Sequence, residues 1–270
     1  MKNRLNNHEL KREIGFFSAT ILVVANMIGT GIFTTSGFIM EELGNPQTML
    51  LCWFVGGIFA LCGALCYGEL GAMFPKAGGE YVFLRESYGK GLAFLSGWIS
   101  LIVGFSAPIA AAAIAMGLLS VLSAMIMTGP RVYYAMAKDS VFFELFGNIN
   151  KVHRTPAYAI LLQAAIAVAM VVTASFDKLL IYIGFTLALC ATLTVVGMIL
   201  LRITQPALKR DYKTFGYPVT PFLFILGNLW IIYFSIRSRP IASLFGLGTI
   251  GLGILVYLYF SIRREQNHDV

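Results

Sequence analysis

Residues Gly91 to Pro130 read GLAFLSGWISLIVGFSAPIAAAAIAMGLLSVLSAMIMTGP, 40 positions without one Asp, Glu, Lys or Arg. A helix on the surface of a water-soluble protein shows a polar face at every turn, and this stretch has none. A hydrocarbon core of about 30 Å is crossed by about 20 apolar residues. The stretch therefore crosses a bilayer once as an over-long helix or twice as a tight hairpin turning near Pro108 to Gly117. The remainder of the chain repeats the pattern at ordinary length. Residues 14–40 form an uncharged run of 27 and residues 43–68 one of 26, followed by Thr155 to Phe176, Leu179 to Leu201, Thr214 to Ile236 and Pro240 to Ile262.

Composition agrees with this reading. Of 270 residues, 58% are hydrophobic and 12% charged, about half the charged share of an ordinary soluble domain, and the mean hydropathy is +0.78. Most soluble enzymes, disordered regulators and disulfide-stapled domains are excluded. The expected fold is all-α, a polytopic transmembrane helix bundle. The net charge of +7 would suggest nucleic acid in a soluble protein, but in a membrane protein it marks cytoplasmic loops. With the N-terminus inside and residues 91–130 crossing twice, 17 of the 20 Lys and Arg fall on the cytoplasmic side, leaving Lys178, Arg237 and Arg239 outside. A single crossing divides them 10 to 10 and carries no orientation signal. Charge thus favours eight spans with both termini cytoplasmic in the cell membrane; seven spans is the alternative, because two crossings and a turn barely fit in 40 residues. The opening MKNRLNNHELKRE leads into a run too long for a signal-peptide core, without a small-residue cleavage signal. That run is expected to stay as a spanning helix.

Within the first span lies IGTGIF: Ile28, Gly29, Thr30, Gly31, Ile32 and Phe33. Each glycine weakens a helix by roughly 1 kcal/mol relative to alanine and lets backbone approach a neighbour closely. Two readings follow. Small residues pack membrane helices together, or an unwound turn points amide groups into a cavity at the bilayer midplane, where half-helix ends hold carboxylates in transporters. A dinucleotide fingerprint is excluded, since Thr34 stands at its third glycine position and no strand precedes it. The second feature, GELGAMFPKAGGEYVFLRESYG (Gly68 to Gly89), contains Pro75 and the pair Gly78 and Gly79, so a structured connection on the cytoplasmic side is expected. Glu69, Glu80, Arg85 and Glu86 either pair there as a gate latch or stand in a solvated loop with weak ion pairs.

Other chemistry is thin. His8, His153 and His268 lie in tails and loops without zinc spacing, and no metal or cofactor is expected. Cys52, Cys62, Cys66 and Cys190 sit in apolar runs and read as small hydrophobes. Ser106, Ser120, Ser123 and Thr128 are expected to bond their own backbone or a neighbouring helix. Trp53, Trp98 and Trp230 read as interfacial anchors and packing. No nucleophile elbow, phosphate loop or carboxylate pair supports an enzyme.

IGTGIF together with PKAGGEYVFLRESYGKGLAFLSGW resembles the amino acid, polyamine and organocation transporter superfamily, in particular its bacterial amino acid permeases. Downstream, MTGPRVYYAMAKDSVFF and HRTPAYAILLQ are similar to the family's eighth and ninth helices, and KLLIYIGFTLALCATLTVVGMILLR to its tenth. The resemblance implies one transmembrane domain over residues 1–270, with 1–112 similar to family helices one to three and 113–270 to helices eight to twelve. It is thus a shortened leucine-transporter-type fold without helices four to seven, and removing an even number of helices preserves the orientation downstream.

The resemblance further implies that Ile28 to Phe33 line the substrate site, with Gly29, Thr30 and Gly31 presenting backbone donors to an amino acid carboxylate and Phe33 helping to occlude it. The half-site that the sixth helix supplies, and the lysine that proton-coupled members place on the fifth, lie in the missing part. No span here has a central Lys, Asp or Glu to carry a proton. The expected function is amino acid transport, with an amino acid and the lipid bilayer as partners and no nucleic acid. The alternatives are a non-transporting remnant or assembly module, prone to self-association because polar backbone at Gly29 to Gly31 would face lipid, and an amino-acid-binding sensor.

Overall fold

The computed structural model describes residues 14–27, 30–114, 119–149, 155–173 and 176–266. Eleven α-helices are described: α1 (Phe16–Met27), α2 (Thr30–Leu43), α3 (Pro46–Met73), α4 (Glu80–Tyr88), α5 (Lys90–Ile99), α6 (Ala107–Ile114), α7 (Leu119–Lys138), α8 (Ala157–Thr173), α9 (Phe176–Thr204), α10 (Val219–Ser238) and α11 (Pro240–Gln266). A π-helical segment, Ser100–Ser106, joins α5 to α6, and a 3₁₀ turn, Glu144–Gly147, lies between α7 and α8. No strand is found among the described residues.

Five of these bodies are long and apolar enough to cross a membrane: Pro46–Met73, Lys90–Ala111, Leu179–Thr204, Val219–Ser238 and Pro240–Ile262. Ala157–Thr173 is apolar but shorter. The protein is a multi-pass, all-α membrane bundle. Its outer surface is apolar in a way no aqueous protein tolerates: Leu50, Leu51, Phe54 and Leu61 of α3 are exposed, as are Phe222 and Trp230 of α10 and Leu244 and Phe245 of α11.

The described parts of the 40-residue stretch fold back on one another. α7 runs back along α5, the π segment and α6, so that Gly97 faces Met136 and Phe105 faces Gly129. The single over-long crossing is not formed. Just before Pro108 the helix widens into the π segment. Proline has no amide proton to give, and the ladder widens to i−5 bonds, with the amide of Ala107 donating to the carbonyl of Ile102 and the hydroxyl of Ser106 donating to the carbonyl of Leu101 at 2.6 Å.

Because lipid tails are as apolar as leucine, helices in a bilayer associate by close fit. α3 and α10 pack antiparallel through reciprocal glycines. A Cβ on Gly63 would lie 2.3 Å from the ring of Phe224, and one on Gly227 would lie 2.7 Å from Phe59. α11 meets α5 in the same way at Gly253, against Trp98, whose indole nitrogen donates to the carbonyl of Thr249 at 3.0 Å. The largest buried cluster joins α4, α5 and α7 through Tyr81, Leu84, Phe94, Tyr133 and Met136. Antiparallel packing brings the end of α3, all of α4, the start of α5, the end of α7, the end of α9 and the start of α10 to one end of the bundle, hereafter the α4 face.

Candidate functional site

The segment singled out for substrate binding falls between α1 and α2. α1 ends at Met27 and α2 begins at Thr30. Ile28 and Gly29 lie outside the described residues, as do the side chains of Thr30, Ile32 and Phe33, which with Gly31 form the first turn of α2 through their backbone. Two of the cavities among the described residues lie elsewhere. One of about 740 Å³ lies between α8, α9 and α11 and is lined by Tyr182, Arg239 and Phe245. The other, about 720 Å³ and apolar, lies between α5, α8 and α11 around Trp98 and Phe260. Neither is lined by α1 or α2.

Of the five charged residues of Gly68 to Gly89, Glu69, Glu80, Arg85 and Glu86 are built into the α4 face. Only Arg85 and Glu86 pair with one another, at 2.7 Å; the other contacts reach across the bundle. The Glu69 side chain lies within α3, which continues through it to Met73 rather than ending at its charge. It is fully buried and ion-paired with Arg202 of α9. Arg202 Nε donates to one carboxylate oxygen at 2.8 Å and its Nη2 to the other. The amide and hydroxyl of Thr214 each donate to Glu69 at 2.7 Å. Arg210 Nε stands 3.5 Å away while its Nη2 caps α9, donating to the carbonyls of Leu201 and Gln205 at 3.0 and 3.1 Å. The Arg202 guanidinium also stacks on Tyr217, 3.9 Å from the ring centre. A carboxylate in an apolar environment is tolerated when it is paired and its lone pairs are satisfied, and Glu69 meets both conditions.

Arg85 Nη1 donates to Asp139, just past α7, at 2.6 Å, and the hydroxyl of Tyr81 reaches the same oxygen at 2.6 Å. Burial works against the charge on Arg85, but the bonds to Asp139 and Glu86 outweigh it and hold its pKa above the usual arginine value. Burial, reinforced by the bond to Asp139, pushes the phenol of Tyr81 up. Glu80, in the first turn of α4, accepts from the hydroxyl of Tyr67 on α3 and from that of Thr194 on α9, the latter at 3.1 Å. These contacts make the segment a fastened junction of α3, α4, α7 and α9 rather than a solvated loop.

Sequence reading missed Thr194, Arg202, Thr214 and Asp139 as the partners. A usable signal existed for one pair. Glu69 ends one uncharged run and Arg202 ends another, and the charge count puts both ends on the same side of the membrane.

A bundle of apolar helices with a fastened loop-helix at one end defines a class, the polytopic helical proteins of the bilayer. Within it, the profile of the Amino acid permease family matches residues 14–111 and 104–249, and the chain belongs to that family. Similar proteins include the mouse Large neutral amino acids transporter small subunit 2, 43% identical over 94 residues, which are 35% of this chain and 18% of that protein. The Serine/threonine exchanger SteT of Bacillus subtilis (strain 168) is 40% identical over 94 residues, 35% of this chain and 22% of its own length. The human Asc-type amino acid transporter 1 is 37% identical over 101 residues, 37% of this chain and 19% of its own length. The aligned part thus spans about a fifth of each relative.

Proposed function

We propose that the chain binds an amino acid at Ile28 to Phe33 and moves it across the cell membrane by alternating access, with the amides of Gly29, Thr30 and Gly31 donating to the carboxylate and Phe33 closing over it. The observation that carries this reading is family membership across residues 14–249, together with relatives that are named as amino acid transporters. The start of a 14-residue helix at Thr30 supports the role of its first amides, because the first four N–H groups of a helix have no partner inside it and carry the positive end of its dipole. The division into residues 1–112 and 113–270, joined near Ala113 to Gly117 without family helices four to seven, is supported by the family profile matching in two overlapping pieces, 14–111 and 104–249. The surplus of Lys and Arg at the loops of the α4 face supports a cytoplasmic placement of that face and of both termini.

A thermal-shift screen of the twenty amino acids and their methyl esters against the whole chain in lipid nanodiscs tests the site. A ligand at 100 times its Kd adds about 2.7 kcal/mol to the folded state. The expected result is a raised Tm with free amino acids of one side-chain class and none with their esters, whose carboxylate is blocked. Equal shifts with acid and ester, or none with either, would remove Gly29 to Gly31 as a carboxylate site.

A further inference from the structure

Among the described residues, Glu80 stands apart from the other carboxylates turned into the bundle. Glu69 faces Arg202 and Arg210, and Asp139 faces Arg85. No ion pair involves Glu80. Its Oε1 is bracketed by two hydroxyls, Tyr67 and Thr194, carried by two membrane-spanning helices. Among the described residues of the surrounding elements no cation pairs with it, Lys76 of the loop before α4 included. From α3 the titratable neighbours are Tyr67 and, on the side turned to Arg202, Cys66 and Glu69. From α9 it is Cys190, one turn before Thr194, while Arg202 is engaged by Glu69. On α4 itself Arg85 is held by Glu86 and Asp139. On α5 there is Lys90, and on α7 Lys138 lies over the ring of Tyr134. The two hydroxyl donors and the first turn of α4 favour an ionised carboxylate; enclosure between two apolar helices opposes it, and burial prevails, raising the pKa above the usual glutamate range.

We propose that Glu80 is a proton-binding site at the α4 face, and that taking up a proton there relieves the cost of enclosing its charge between α3 and α9 while both hydroxyl bonds are kept. In the protonated form Oε1 is the carbonyl oxygen that accepts from Tyr67 and Thr194, and the proton rides on Oε2. The proton comes from bulk solvent and returns to it, and no other bond changes. The inference stands apart from the amino acid site, because its test reads no transport.

A carboxyl whose pKa is raised in the folded bundle holds more protons there than in the unfolded chain. Its contribution is fully present below the ordinary glutamate value of about 4.3 and is lost as pH rises through the raised value. The experiment is a series of melting temperatures of the whole chain in nanodiscs from pH 4.5 to pH 8 for wild type and Glu80→Gln, a permanent mimic of the protonated form. The expected result is a difference between the two that grows in favour of the glutamine variant as pH rises. A difference constant across the series overturns the proposal. Infrared titration of wild type serves where the variant does not fold. A carboxylic-acid carbonyl band should persist at about pH 6, where a solvated glutamate is almost wholly ionised, and should titrate at higher pH in Tyr67→Phe or Thr194→Val, which each lack one donor to the charged form. Absence of that band at about pH 6, or a midpoint that neither substitution moves, overturns it as well.

Discussion

Glu69→Gln is the substitution whose cost follows most directly from the structure. It keeps the size of the side chain and removes the charge at a position that is fully buried. Two guanidinium bonds from Arg202 and two bonds from Thr214 converge on the native carboxylate. A glutamine has one acceptor oxygen for these donors and turns its own NH₂ toward the rest. Arg202, with only 18% of its side chain exposed, keeps a charge without a counterion, and Arg210, at 8%, loses the one carboxylate near its Nε. Breaking a buried pair by removing one partner costs about 3–5 kcal/mol. At about 2–4 °C per kcal/mol for a chain of this size, the expected fall in Tm is roughly 6–20 °C. The assay is intrinsic fluorescence during heating, in nanodiscs, reported by Trp53, Trp98 and Trp230. Arg202→Gln should cost a similar amount, and the double substitution less than the sum, by up to about 3 kcal/mol, as contacting residues do. A Tm within about 2 °C of wild type for Glu69→Gln, under 1 kcal/mol on the same scale, would refute the assignment of α3–α9 cohesion to this cluster.

Arg85→Ala should cost less, about 1 kcal/mol, because Arg85 and Asp139 each keep about a fifth of their side chain exposed; denaturant midpoints in detergent check it, and a loss on the scale of Glu69→Gln would contradict the ranking. Gly129→Val should lower Tm through overpacking of about 1–3 kcal/mol, since even a Cβ there would meet the side-chain oxygen of Gln163 at 2.5 Å and the Phe105 ring at 2.9 Å; an unchanged Tm would show that α7 and α8 separate freely. Trp98→Phe should lose about 1 kcal/mol with the bond to the Thr249 carbonyl, read as a Tm shift; an unchanged Tm would remove that bond from the contact of α5 with α11. Gly31→Val should abolish amino acid binding while leaving Tm near wild type, and retained binding would remove the first turn of α2 from the site.

Sequence reasoning reached the architecture because each span announces itself locally: an uncharged run of about 20 residues has a single stable environment. The turn-back within residues 91–130 was legible only indirectly, through the sorting of positive charges; among the described residues α7 lies along α5 and the π segment, with Gly97 against Met136 and Phe105 against Gly129. The π segment was half legible, since Pro108 demands a defect while a kink and a widened turn relieve it equally well. The partners at the α4 face were not legible. Glu69 meets Arg202 across 133 positions and Glu80 meets Thr194 across 114, and nothing in the residues near either glutamate names them. Glu69 also shows why a charge misleads as a boundary, because a helix passes through a carboxylate once a guanidinium from another helix cancels it. The candidate substrate segment is the reverse case, read from two glycines around a threonine within an apolar run and from family likeness, and the chemistry proposed for it rests on backbone amides rather than on side chains.

The most direct test of the account is uptake of radiolabelled amino acids into proteoliposomes by the whole chain and by Gly31→Val, in the same lipid and at matched protein content. Saturable uptake of one class of amino acid by the wild type, lost in Gly31→Val, is the predicted result. A folded wild-type preparation that takes up no amino acid, or a variant that transports as well as its parent, would contradict it.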